Sequence, residues 1–220
     1  MILEKAFSEG RKTLSEHESK ELMKSYGIPV TREVEVQSLE ELRKAVEEIR
    51  FPLVMKSSSS RIAHKSERGL VKVDIRNQEE AVSAFNELTS VLKEEDRTVL
   101  VQEMIRGRRE LMVGLIRDPQ FGPCVMFGLG GIFTEILKDV SFRVAPLEQR
   151  DALEMTREIR AHRILEQVRG LPAADVDQLV QILITIGRIG LEHERIREID
   201  INPLILDGSR PVAVDALVVL

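Results

Sequence analysis

The sequence predicts an α+β protein built as two closely packed lobes. Three observations carry this. Residues 28–102 hold two helical stripes interleaved with short apolar strands, the content of a small α+β lobe. The residues beyond 102 are rich in strands joined through turn residues, so hairpins are expected there. And 43% hydrophobic residues in a chain of 220 suit one large domain or two intimately packed lobes with a real core. No repeat, low-complexity tract or long linker separates the halves. Residues 1–220 are therefore read as one domain, with a small lobe of 28–102 and a large lobe of 1–27 with 103–220.

Taken in order, Ser15 and Glu18 offer a capping box. Leu22, Met23 and Tyr26 then lie near one helical face, and Gly27 supplies the stop. Ser38 and Glu41 form a second box around the stripe Leu39, Leu42, Ala45, Val46 and Ile49. Phe51-Pro52 ends that helix, and strands are expected at 52–56 and 69–75. Ala81, Val82, Phe85, Leu88, Val91 and Leu92 mark a third helix, followed by a strand at 98–102.

Strands at 111–116 and 124–127 are joined by Arg117-Asp118-Pro119-Gln120-Phe121-Gly122-Pro123, a run of turn residues. The second of them ends in Gly128-Leu129-Gly130-Gly131. Residues 132–137 alternate loosely and read as more strand, which puts these glycines at a hairpin tip and not at the start of a helix. Helices are expected over 147–159 and along Val176, Leu179, Val180, Leu183 and Ile186. The end, 199–220, reads as two apolar strands about Asp207-Gly208.

Composition excludes several classes. A net charge of -5 does not suit a general nucleic-acid binder, so any basic site is local. The single cysteine, Cys124, excludes an internal disulfide framework and a thiolate metal cluster. The N-terminal stretch is too charged for a signal peptide, and no apolar run approaches the roughly 20 residues of a membrane span. The expectation is a soluble, cytoplasmic protein that partners neither nucleic acid nor membrane.

Four stretches could carry chemistry. Lys56 ends a strand and opens onto Ser57-Ser58-Ser59-Ser60-Arg61, with His64-Lys65-Ser66 beyond. A compact ammonium suits phosphate oxygens, and a loop of small residues can cradle an anion. A solvated basic loop is the alternative. Val101-Gln102-Glu103-Met104 lies at the joint between the lobes and could offer backbone groups to an adenine edge, or be an ordinary core strand. In Glu198-Ile199-Asp200-Ile201-Asn202, strand alternation puts Glu198, Asp200 and Asn202 on one face, and the following hairpin brings Asp215 near Asn202. Such oxygen ligands, with places left for water and phosphate, are what Mg²⁺ takes. The alternative is the solvated side of an edge hairpin. Glycine at 128, 130 and 131 would let backbone amides approach a phosphate, or serve a tight hairpin alone. Lys138 and Arg143 add charge nearby, and Glu135 could bind a metal.

Together these stretches resemble one family. Lys56, His64-Lys65-Ser66, VQEM from Val101, DPQFGP from Asp118, FGLGG from Phe127, LKDVSFR from Leu137, EIDINPL from Glu198 and VAVDA from Val212 occur in order. Their order and spacing resemble the ATP-grasp subunit of ADP-forming acyl-CoA synthetases, relatives of succinyl-CoA synthetase. The resemblance runs from about Ser15 to Leu220. It implies an ATP-grasp fold, two α+β lobes enclosing a nucleotide cleft, with ATP/ADP and Mg²⁺ as cofactors. It implies that Lys56 contacts phosphates, that Gln102, Glu103 and Met104 hold the adenine and ribose, and that Glu110 serves the ribose or the cleft. Gly128, Gly130 and Gly131 would belong to the phosphate-handling loop, and Asn202 and Asp215 would hold Mg²⁺. His64 matches a histidine implicated in relaying a phosphoryl group from a phosphohistidine of the partner subunit, with Lys138 and Arg143 stabilising the moving charge. The implied partner is a CoA-binding alpha subunit on a separate chain, in a heterotetramer. A non-catalytic nucleotide-sensing subunit and a succinyl-CoA-type ligase subunit are the alternatives. Two places depart from the family pattern. Gly69-Leu70 stands where a glycine pair is usual, and Gly107-Arg108-Arg109-Glu110 is more basic than usual.

Overall fold

In the computed structural model, described for residues 2–58, 69–92, 97–131, 138–168 and 170–220, the chain divides into two units. One comprises Met1–Leu14, Glu18–Val30 and Arg106–Leu220, the other Ser15–His17 and Thr31–Ile105.

The smaller unit is a four-stranded antiparallel sheet, β1 (Glu33–Val36), β4 (Val99–Glu103), β2 (Leu53–Ser57) and β3 (Val71–Ile75) in spatial order, with helices Leu39–Ile49 and Gln78–Ser90. The helices form where the sequence places stripes, and both start on side-chain caps. Ser38 accepts from the Glu41 N–H at 3.2 Å and Asn77 from the Glu80 N–H at 2.9 Å. Glu41 closes its side of the cap on the Gln37 N–H, one residue earlier than a capping box would. Leu42, Ala45 and Ile49 pack with Phe85, Leu88, Met55 and Val101 in one core.

The larger unit carries a six-stranded antiparallel sheet. Its order is β10 (Leu217–Val219), β8 (Glu198–Asp207), β5 (Glu110–Asp118), β6 (Gly122–Leu129) and β7 (Val140–Val144), with β9 (Arg210–Ala213) also paired to β8. Helices Gln149–Glu158 and Val176–Glu192 cover one face. Leu179, Leu183 and Ile186 share a buried core with Val113, Leu115, Val125, Phe127, Ile199 and Ile201 of the sheet. The alternation of β5, and of β8 as far as Asn202, thus sends every second residue into this core and leaves the others on the opposite face.

Several elements were not expected, among them β1, β7 and the 3-10 turn His162–Leu165. Helix Ile2–Ser8 buries Leu3 and Ala6 although its sequence is short and charged. The C-terminal segment makes three strands, not two: after β9 the chain crosses 214–216 and pairs again with β8 as β10. Among the described residues no helix is long and apolar enough to cross a membrane.

Candidate functional site

The open face of the larger sheet holds a depression of about 450 Å³. Met112, Met126 and Val140 supply apolar walls. Glu198, Asp200 and Asn202 supply oxygens, and Gly131 and Lys138 border it. The alternation expected from the sequence is what separates these groups. Ile199 and Ile201 are buried in the core, while Glu198, Asp200 and Asn202 lie on the other face.

Asp200 is the most perturbed of them. Burial first, then the charges of Glu198 and Asp215, push its carboxyl up to about 6. Among the described residues, its buried Oδ1 finds no hydrogen-bond partner. Asp215 reaches this place because β9 pairs with Leu204–Asp207 and β10 with Glu198–Asp200, both on the edge of β8 opposite β5. The joining residues 214–216 therefore pass beside 201–203, and the Val214 N–H donates to the Pro203 carbonyl at 3.1 Å. Asp200, Asn202 and Asp215 are brought together, as the sequence suggested for the last two. Among the described residues no group of three or more His, Cys, Asp or Glu side chains forms a ready-made cage. A face of hard oxygens with one orphaned carboxylate oxygen fits Mg²⁺, which takes one or two protein carboxylates and keeps places for water and phosphate.

The glycine run packs closely against its neighbours. The Leu129 N–H donates to the Asp139 carbonyl at 3.3 Å and the Gly130 N–H to the Glu110 carbonyl at 2.9 Å. The Gly131 N–H donates to Asn202 Oδ1 at 3.1 Å. The amides of Leu129, Gly130 and Gly131 thus have acceptors within the chain. The glycines also serve close packing. A Cβ on Gly130 would lie 2.4 Å from the Leu111 carbonyl oxygen, and one on Gly128 would lie 2.6 Å from that of Asp139. Gly131 has φ +64°, and a Cβ there would meet the Glu110 carboxylate at 2.0 Å. Glu110, at the start of β5, thus abuts the loop, and Asn202 is tied to it from β8.

The remaining candidates divide. Lys138 borders the depression with φ +46°. In the smaller unit, Lys56 is not an exposed cation: its Nζ lies 2.6 Å from Glu16 Oε1, and both residues are 5% exposed. Gln102 is fully buried on β4. Glu103 accepts from the backbone N–H and the Nε of Arg32 at 2.8 and 2.9 Å, so its carboxylate is already clasped. Met104 lines a hollow of about 360 Å³ with Arg32, Phe51 and Glu103. His64 and Glu135 lie outside the described residues.

Arg143 requires a correction. On β7, Ser141 is buried and bonds the Met155 carbonyl at 3.0 Å, on the helix side of the sheet. Arg143 shares that side by alternation and grips Glu158 with both terminal nitrogens, at 2.9 and 2.5 Å. Its hydrogen bond to Glu158 holds its pKa above the usual value. It faces away from Asp200 and Asn202, because one residue of register decides the face of a strand. Arg143→Ala is expected to cost no more than about 1 kcal/mol of stability, as for a part-exposed ion pair, with Mg-nucleotide affinity within about twofold. Thermal melting and titration with Mg-AMPPCP check this, and a tenfold loss of affinity would return Arg143 to the site.

Asp200 was legible as a member of the acidic face but not as its most buried carboxylate, since its desolvation comes from neighbouring strands. The apolar walls Met112 and Met126 were missed. Their signal was the period-two alternation of β5 and β6 read onto the open face.

The family model of the ATP-grasp domain matches residues 5–220. The chain is similar to the acetate–CoA ligase (ADP-forming) I subunit beta of Pyrococcus furiosus, 47% identical over 224 residues, covering 100% of this chain and 96% of that protein. It is 39% identical over 223 residues to the acetate–CoA ligase (ADP-forming) I of Archaeoglobus fulgidus, covering 100% of this chain and 32% of that longer one. Among solved structures it is similar to the dinucleotide-forming acetyl-coenzyme A synthetase 1 of Ca. Korarchaeum cryptofilum, with a TM-score of 0.88 and 46% identity over 100% of this chain and 98% of that one. That protein was solved in complex with coenzyme A and Mg-AMPPCP, its phosphohistidine segment pointing towards the nucleotide binding site.

Proposed function

Because this chain belongs to the ATP-grasp domain family, we propose that it is the nucleotide-binding beta subunit of an ADP-forming acetate–CoA ligase. The observation that carries this reading is the end-to-end similarity to a beta subunit of that enzyme. The reaction is acyl-CoA + ADP + phosphate ⇌ acid + CoA + ATP. The reading implies a separate CoA-binding alpha subunit, in keeping with the similarity to a protein that is itself a subunit beta. ATP and CoA thioesters are cytoplasmic metabolites, and the cytoplasm is the compartment expected for the enzyme.

Mg²⁺, when bound, would neutralise phosphate charge and lower the barrier to phosphoryl transfer. Asn202 and Asp215 would hold it, with Asp200 beside them. Lys138, at the border of the same depression, would offset charge on the phosphoryl in flight. Lys56 contributes to phosphate binding by exchanging its Glu16 contact for phosphate oxygen. His64 takes the phosphoryl group from the partner's phosphohistidine and passes it to the β-phosphate of ADP. The partner's N–P bond breaks as the His64 N–P bond forms, and the His64 N–P bond breaks in turn as a β-phosphate oxygen of ADP forms the O–P bond of ATP.

The test is ATP formation from acetyl-CoA, ADP and phosphate by this chain co-expressed with an alpha subunit. The complex is expected to turn over, and this chain alone is not. His64→Ala is expected to lower turnover on the order of 10³-fold or more, as for loss of a covalent catalyst, while Mg-nucleotide still binds. Acyl-CoA-dependent ATP synthesis by the isolated chain would overturn the reading, as would full activity of the histidine variant.

A further inference from the structure

Residues Val214, Asp215 and Ala216 connect two strands on the same edge of β8, and neither ladder includes them. Ladder hydrogen bonds therefore do not set where the Asp215 backbone lies. Other groups hold it. The Val214 N–H donates to the Pro203 carbonyl at 3.1 Å. On its other side, the Val214 carbonyl accepts from Lys20 Nζ at 3.2 Å. That carbonyl belongs to the peptide bond leading directly into Asp215.

Lys20 is an unusual choice for this duty. It is 1% exposed, on helix Glu16–Ser25, where Met23 and Leu22 are buried as well. A leucine or methionine would fill such a position without desolvating a charge. An ammonium is tolerated there only if it makes strong polar contacts, and a charged donor binds a carbonyl more firmly than a neutral one. The long stem also lets a helix reach a strand connection 194 residues later in the chain.

We infer that Lys20 is a positioning residue for the metal-binding face, holding the Val214–Asp215 peptide so that the Asp215 carboxylate stays beside Asn202. The inference rests on the reading of Asp215 as a Mg²⁺ ligand. It concerns metal affinity and not catalysis directly. Groups that orient metal ligands without touching the metal characteristically set affinity for it.

The experiment titrates Mn²⁺ into the full chain in the presence of AMPPCP and follows free Mn²⁺ by electron paramagnetic resonance. Metal-free AMPPCP binding is measured in parallel with chelator present. Lys20→Met, of similar length but without donor or charge, is expected to weaken Mn²⁺ binding about tenfold, the lower end for loss of an orienting group. Metal-free nucleotide affinity is expected to stay as in the wild type. Should that variant fail to fold, Lys20→Gln keeps a neutral donor and is expected to fall between wild type and the tenfold loss. Asp215→Asn is run alongside. If it weakens Mn²⁺ binding and a folded Lys20 variant does not, the inference is overturned while the reading of Asp215 stands. If Asp215→Asn leaves Mn²⁺ binding unchanged, both fall. Equal losses of metal-bound and metal-free nucleotide affinity in a Lys20 variant would mark a merely structural lysine and also overturn it.

Discussion

Asp215→Asn, in the complex with the alpha subunit, is expected to lower ATP formation by about 10²–10³-fold, the range for removing one group that stabilises developing charge. The substitution preserves size and removes the charge. The reason for so large an effect is the composition of the face. Glu198 and Asp200 share it, but Asp200 is held up to about 6 by burial and by its acidic neighbours. Asn202 already accepts the Gly131 N–H, so its amide oxygen has one lone pair left for a metal. Asp215 is thus the charged ligand proposed for Mg²⁺ in this arrangement. The measurement is initial rate against Mg²⁺ concentration. Activity within tenfold of wild type, at an unchanged Mg²⁺ half-saturation, would remove Asp215 from the mechanism.

The second large effect is on stability. Arg109 is 5% exposed, yet its guanidinium donates to the main-chain carbonyls of Ile164 (3.1 Å), Glu166 (3.4 Å), Pro172 (2.8 Å) and Gly208 (2.7 Å). Burial lowers its pKa from the usual value, the mark of a desolvated charge. This one side chain satisfies carbonyls of two separate stretches, 164–172 and the β8–β9 turn. Arg109→Met would leave those carbonyls unpaired. The expected loss is about 3–5 kcal/mol, as for a broken buried charged network. At roughly 2–4 °C per kcal/mol for a protein of this size, the melting temperature falls by about 6–20 °C. Arg109→Lys is expected to recover little of it, because a point charge cannot reproduce the fork. Calorimetry checks both variants, and a shift below about 3 °C for Arg109→Met would show that the carbonyls find other partners. The basic stretch Gly107-Arg108-Arg109-Glu110, a departure from the family pattern, therefore contains a structural hub.

Sequence alone determined what local rules govern. Helical stripes such as Leu42, Ala45 and Ile49, and the cap Ser38, depend on neighbours within a few residues. So does the strand alternation that separates Ile199 and Ile201 from Glu198, Asp200 and Asn202. The order of its motifs also carried the family resemblance. Tertiary structure alone decided the rest. Arg143 faces Glu158 and not the site because the register of β7 against β6 sets its side. The glycines at 128, 130 and 131 answer to the backbones of Asp139 and Leu111 and to the Glu110 side chain, which are brought to them by strand pairing. Lys20 and Arg109 read as ordinary surface charges until folding buries them against carbonyls far along the chain. Burial and non-local pairing are properties of which surfaces meet, and a side chain's chemistry is set by the neighbours that folding gives it.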